Sequence, residues 1–298
     1  MIVMTPRSRA ALTVVAASAL VLAGCATSDP ESAPADDGVD GAGVEVLASF
    51  YPLQYVAERV GGDGVVVDTL TPPGAEPHDV ELSPRQVRTV GESDLVVYLS
   101  GFQPAVDEAV TARTPGRVVD AAEVVGGSLD QHFWLDPELL AAVVAPVAAA
   151  LTEIDPTRAD DYAKNAAALE GELADLTAEL QAGLASCERK VVVTPHESFG
   201  YLTAKHGLEQ VGMSGLDPDS EPSPARLREI GDIVRAEGVT TIFSEPLGDP
   251  EVARTLASDL GIEVGVLDPL ENQTDPDSDY RGVMEQNLRV LRDALGCA

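Results

Sequence analysis

The stretch "EPHDVELSPRQVRTVGESDLVVY" (Glu76–Tyr98) is echoed in form by "DPDSEPSPARLREIGDIVRAEGVTTIF" (Asp217–Phe243). Each reads as the exit from a strand, a Ser-Pro helix start, an amphipathic helix and a further strand. Proline is tolerated in the first helical turn, and the serine before it supplies a cap. The echo predicts two related lobes of one α/β plan.

Working outward, short β-rich runs alternate with helical patterns along the chain. The runs are "VEVLAS", "VVVDTL", "DLVVYLS" and "RVVDA", then "KVVVT", "LEQVGM", "TTIFSE" and "EVGVLD". Strands alternating with helices imply parallel sheets with right-handed crossovers. The expected fold is therefore α/β: two lobes, each with a four-stranded mainly parallel sheet flanked by helices. Between them, from about Pro156 to Ser186, runs a helical pattern with no internal proline. Tyr162, Ala166, Leu169, Leu173, Leu176, Leu180 and Leu184 recur three and four apart, forming one apolar stripe. We expect an N-terminal lobe over residues 44–154, a linking helix over 155–187 and a C-terminal lobe over 188–298. A strut of this kind brings the strand C-termini of both lobes to one cleft, which suits a bilobal solute receptor or a two-domain enzyme.

The 298 residues carry 19 Lys and Arg against 50 Asp and Glu, a formal charge of −31. Such acidity argues against nucleic acid, whose phosphates require a basic surface. Residues 1–24 read as a signal peptide, with Arg7 and Arg9 preceding an apolar run from Ala10 to Ala23. It ends in "LAGC" (Leu22–Cys25), which resembles the bacterial lipobox, where cleavage is coupled to lipidation of the cysteine. Residues 25–43 then form the lipidated Cys25 and a Ser/Pro/Ala/Asp/Gly-rich tether with little to bury. Cys187 and Cys297 remain, an even pair in an oxidising compartment. A disulfide tying the C-terminus to its lobe is expected, the alternative being two separately buried thiols.

The chemistry-bearing residues lie on loops. His78 follows the second strand in a proline-stiffened loop, His132 precedes the helix start at Asp136-Pro137, and His196 follows the first strand of the second lobe. Ligands of open α/β sheets bind beyond the strand C-termini. His206, at a helix end before Gly207, reads as structural, its charge complementing the dipole. Asp268 ends the last strand before Pro269 and is the fourth candidate, though an isolated Asp there also suits a turn.

In order, "PHDVELSP", "HFWLDP", "HESFGYL", "SEP" and "LDPLE" surround one long helix behind a lipobox. This resembles the metal-binding lipoproteins of bacterial zinc and manganese ABC importers, the TroA-like solute receptors, over essentially the whole mature chain. The resemblance implies that His78, His132, His196 and Asp268 are the metal ligands, two from each lobe. It implies Zn²⁺ as the transported ligand, captured outside the cytoplasm by a monomer lipid-anchored to the cell membrane. It further implies an ABC permease and its cytosolic ATPase as partners, since the chain has no "GxxxxGK[ST]" loop of its own. Manganese-type members commonly carry a carboxylate where His196 stands, so imidazole here favours zinc. Glu245, ending "TTIFSE", is expected behind the ligands, orienting a histidine. Glu197 is expected there too, or turned away. The long His-rich loop of many zinc members is absent, as residues 101–131 hold no histidine.

Rival readings are a manganese or iron receptor of the same family, a three-His zinc hydrolase, and an adhesin. Neither "HExxH" nor "GxSxG" occurs. A hydrolase would need an open metal position, with Asp268 or Glu245 as base.

Overall fold

The structure, a computed structural model, describes residues 43–112 and 116–298. The expected signal peptide, Cys25 and the tether lie outside the described residues. The first sheet is built from β1 (Val44–Ala48), β2 (Val65–Thr69), β3 (Leu95–Tyr98) and β4 (Arg117–Asp120). Interleaved with them are α1 (Tyr51–Gly61), α2 (Pro84–Glu92) and α3 (Pro104–Thr111), with α4 (Ala121–Val125) and α5 (Pro137–Ile154) following. Next comes the long α6 (Ala159–Leu184). The second sheet holds β5 (Val191–Thr194), β6 (Glu209–Gly212), β7 (Thr241–Ser244) and β8 (Glu263–Val266). Its helices are α7 (Gly200–Lys205), α8 (Pro224–Glu237), α9 (Glu251–Leu260) and α10 (Tyr280–Leu295).

All pairings within both sheets are parallel, in the orders β2-β1-β3-β4 and β6-β5-β7-β8. The central strands are buried on both faces, and their side chains divide by alternation. Val46 and Ala48 of β1 join one core while Leu47 joins another; Val192 of β5 faces opposite to Val191 and Val193. The mirrored helix starts also behave alike. Ser83 Oγ accepts from the Gln86 N–H at 3.3 Å and Ser223 Oγ from the Arg226 N–H at 3.2 Å.

The linking helix is shorter at its start than the sequence pattern suggests. Asp155 accepts from the Thr157 N–H and caps a 3₁₀ turn over Pro156–Arg158, so α6 itself begins at Ala159. Its 26 residues span about 39 Å. All seven residues of the apolar stripe are buried, in a single core that also takes side chains from both sheets and from α1, α5 and α10. Two arginines pin this strut. Arg59 of α1 reaches both carboxylate oxygens of Glu172 at 2.6 and 2.7 Å, and Arg281 of α10 reaches Glu179. Both pairs are partly exposed, so each contributes at most about 1 kcal/mol. Beyond α6, Cys187 is disulfide-bonded to Cys297 across an antiparallel bridge, closing the second lobe on the chain's end.

Candidate metal centre

His78, His196 and Glu271 lie on loops that follow strands, His132 lies on the loop between α4 and a 3₁₀ turn, and the histidines are held from behind by other groups. His78 lies between β2 and α2. Its own N–H donates to Glu76 Oε1 at 3.1 Å, and Gln103 Nε2 donates to Pro77 O and Thr71 Oγ1, each at 3.0 Å. The ring stands edge-on to Phe102. His132 precedes the 3₁₀ turn Phe133–Leu135. Asp130 Oδ1 accepts its backbone N–H at 3.0 Å and lies 2.9 Å from its Nδ1. His196 follows β5, its carbonyl accepting from Thr194 Oγ1 and Gln210 Nε2, its Nδ1 3.0 Å from Glu245 Oε2.

With Nδ1 of His132 and His196 turned outward onto carboxylates, their Nε2 atoms face inward. There they meet Glu271. Its Oε1 lies 3.4 Å from His78 Nε2, 3.2 Å from His132 Nε2 and 3.1 Å from His196 Nε2. One donor atom from each of the four residues falls within 4.8 Å of the others. A tetrahedron with arms of 2.0–2.1 Å has edges of about 3.3 Å, so these spacings suit a small tetrahedral ion. His132, His196 and Glu271 are almost fully buried, while the His78 side chain is 15% exposed.

The fourth member of this cluster is Glu271, where the sequence suggested Asp268. Asp268 has other work: Oδ1 accepts from the Leu270 N–H at 2.8 Å and Oδ2 from Thr274 Oγ1 at 3.0 Å. Its backbone is gripped by Asn287 on both sides, with Asn287 Oδ1 accepting its N–H and Nδ2 donating to its carbonyl. The chain then turns through Leu270, whose φ is +57°, and that left-handed step aims Glu271 into the cleft. Glu271 stands three residues beyond Asp268 in the same quoted motif, and nothing local marks the longer acid as the one that reaches. Asp130 also escaped the sequence reading; its spacing two residues before His132 was the available signal.

Glu245 lies behind His196, its Oε2 3.0 Å from the ring's Nδ1. Glu197 is turned away: its N–H donates to Gly215 O at 2.8 Å and its stem lies against Gly212. His206 ends α7 away from the cluster. Burial and the neighbouring Lys205 lower its pKa, so the ring is neutral near pH 7 and adds no charge at that helix end.

The groups of the cluster bias one another strongly. Burial would raise Glu271, but contacts with three imidazoles hold its carboxyl well below the usual range. Burial would lower His196, but hydrogen bonds to Glu245 and Glu271 outweigh it and push the ring up to about 10. His132 is raised in the same manner by Asp130 and Glu271. Glu76 is pushed up to about 7 by burial and by the Glu271 charge.

Two parallel α/β lobes on one strut, each offering two of four converging donors, define a bilobal solute-binding protein built around a metal-ion site. The chain belongs to the family described as zinc-uptake complex component A, periplasmic, whose profile matches residues 46–294. It is 31% identical over 311 residues to the high-affinity zinc uptake system protein ZnuA of Bacillus subtilis, covering 95% of this chain and 97% of that one. The zinc-binding lipoprotein AdcA of Streptococcus pneumoniae is 30% identical over 84% of this chain, which spans 55% of AdcA's length. The laminin-binding protein Lmb of Streptococcus agalactiae is similar in structure, with a TM-score of 0.80 and 33% identity, covering 85% of this chain and all of Lmb. Lmb is described as a bifunctional protein with adhesin and metal transporting activity. The Zn(II)-bound ZnuA-like domain of pneumococcal AdcA superposes with a TM-score of 0.74 at 31% identity, over 85% of this chain and 99% of that domain.

Proposed function

We propose that this protein is an extracytoplasmic receptor that binds one zinc ion through His78, His132, His196 and Glu271 and delivers it to an ABC-type importer. The observation that carries this is the convergence of three imidazole Nε2 atoms on Glu271 Oε1 at 3.1–3.4 Å. Three nitrogens and one carboxylate suit zinc, whereas manganese prefers oxygen-rich, higher-coordinate sites. Four side-chain donors complete a tetrahedral shell, which supports binding over hydrolysis, since catalytic zinc keeps a position for water. Asp130 and Glu245 act as the outer carboxylates that fix ring orientation and strengthen the nitrogens facing the ion.

The delivery step draws its energy from an ATPase on the cytosolic side, acting through a permease. Family membership and the relatives' zinc uptake support this partnership. The signal peptide over residues 1–24, lipidation of Cys25, the tether to residue 43, the lobe boundaries near 154 and 187, and the monomeric state complete the reading. The test is metal analysis of the purified protein after exposure to equimolar zinc and manganese, followed by calorimetry with each. One zinc per chain, bound far more tightly than manganese, is expected. Equal affinities for the two ions would overturn the zinc assignment.

A further inference from the structure

A cluster buried this deeply needs a way in. Beside it lies a cavity of about 560 Å³ bounded by loops of the second lobe and by Glu76 from the His78 loop. Seven carboxylates line it, among them Glu271 of the cluster and Glu245 behind His196, and no lysine, arginine or histidine does so. Glu271 and Glu245 are met by histidines of the cluster, but no lysine or arginine pairs with the carboxylates of the cavity as Lys205 does with Asp136 and Glu138.

A second observation points inward. The Glu245 side chain is only 7% exposed, with Oε2 committed to His196 Nδ1. Its other oxygen, Oε1, is buried without a hydrogen-bond partner. A buried carboxylate oxygen left unmatched costs free energy unless something polar or cationic meets it. The cavity is also far larger than a bare ion, so a cation can enter with water still bound.

We propose that this cavity is the passage by which a hydrated divalent cation reaches and leaves the cluster. Asp219, Glu221 and Asp249 draw it in, and Glu245 Oε1 receives it as water is shed beside His196. The proposal rests on the reading of the cluster as a zinc site. It deepens that reading by assigning rate to one set of carboxylates and affinity to another, because rim charges act chiefly on association.

Trp134, the sole tryptophan of the chain, has its ring 5.1 Å from that of His132 and serves as the reporter. Stopped-flow fluorescence on the full chain would follow zinc association, and mixing with excess chelator its dissociation. The triple variant Asp219→Asn, Glu221→Gln, Asp249→Asn is expected to bind zinc about ten-fold more slowly, with a weaker salt dependence and a dissociation rate near wild type. The matched variant Asp160→Asn, Asp161→Asn, Glu170→Gln removes the same charge from the exposed side of α6 and should associate as wild type does. A plug makes the second arm. Gly248 lines the cavity, and a Cβ there meets only Glu245 Cβ, at 3.9 Å, so a large side chain has room. Gly248→Phe should slow association and dissociation together and leave the equilibrium affinity nearly unchanged, and it adds no second tryptophan to the signal. Equal association rates for the two triple variants, or wild-type rates in both directions for Gly248→Phe, would overturn the passage. A wild-type protein that gives no zinc response would instead remove the zinc reading itself, and the proposal with it.

Discussion

Asp268 Oδ1 accepts the backbone N–H of Leu270 at 2.8 Å, and Leu270 is the sole non-glycine residue with a left-handed φ among the described residues. Left-handed backbone costs a branched-chain residue about 1 kcal/mol or more, and it persists only where surroundings impose it. Here the imposed turn swings Glu271 onto three histidines. Asp268 therefore shapes this loop through the backbone, and its buried carboxyl is raised by that burial despite the hydrogen bonds it accepts.

This separates two acids that look equivalent in sequence. Asp268→Asn keeps an oxygen acceptor for the Leu270 N–H and should retain zinc affinity within a few-fold. Asp268→Ala should lose about 10–100-fold, the range for groups that orient ligands. Glu271→Gln should weaken binding more than either. Competition against a fluorescent chelator measures all three. If Asp268→Asn proved as damaging as Glu271→Gln, Asp268 would be the ligand after all.

The histidines should rank by burial. His132→Ala and His196→Ala remove donors that water reaches poorly, so each should reduce zinc affinity severely. His78→Ala should be milder, because water can take a position that is already 15% exposed. His206→Ala should leave affinity unchanged. A loss at His206 comparable to that at His78 would contradict the convergence described above.

Zinc binding should release protons at neutral pH. The His196 ring, pushed up to about 10, carries a proton at pH 7–8 that the ion must displace. Affinity therefore falls as the medium is acidified, and the release declines as pH rises through about 10. The sign for stability runs the other way. A histidine raised above its unfolded value of about 6.5 stabilises the fold before zinc binds; the effect is complete below that value and disappears as pH climbs through the folded one. Calorimetry in buffers of different ionisation enthalpy counts the protons. A release near zero at pH 7.5 would show that His196 is neutral before the ion arrives.

Reduction should destabilise the second lobe without emptying the site. The Cys187–Cys297 bond closes a loop of 110 residues, worth about 5 kcal/mol on the loop-entropy account. At a few degrees per kcal/mol for a body of this size, Tm should drop by about 10 °C. Intact mass of the oxidised protein should show no free thiol at either position, and zinc affinity should survive reduction at 25 °C. Loss of zinc binding on reduction would mean that the cross-link supports the cleft itself.

Much of this molecule is decided by local pattern. Eight β-rich runs became eight strands, the Ser-Pro starts became capped helices, and the stripe from Tyr162 to Leu184 was buried in full, because alternation, capping and helical periodicity are properties of neighbouring residues. The three histidines of the cluster were legible for a related reason: all lie on connecting loops, and His78 and His196 follow strand ends that open on the cleft. What tertiary structure alone shows is that Glu271, and not Asp268, stands among the three histidines, and that Asp130 lies behind His132. Those depend on contacts between distant segments. Trp134 Nε1 donates to Pro269 O, and Asn272 Nδ2 donates to Pro72 O and Ala75 O, tying the Glu271 loop to both histidine-bearing loops of the first lobe. A strand followed by Asp-Pro announces a turn, but the direction in which the turn leaves is set by what it meets across the cleft, some 130–200 residues away in sequence.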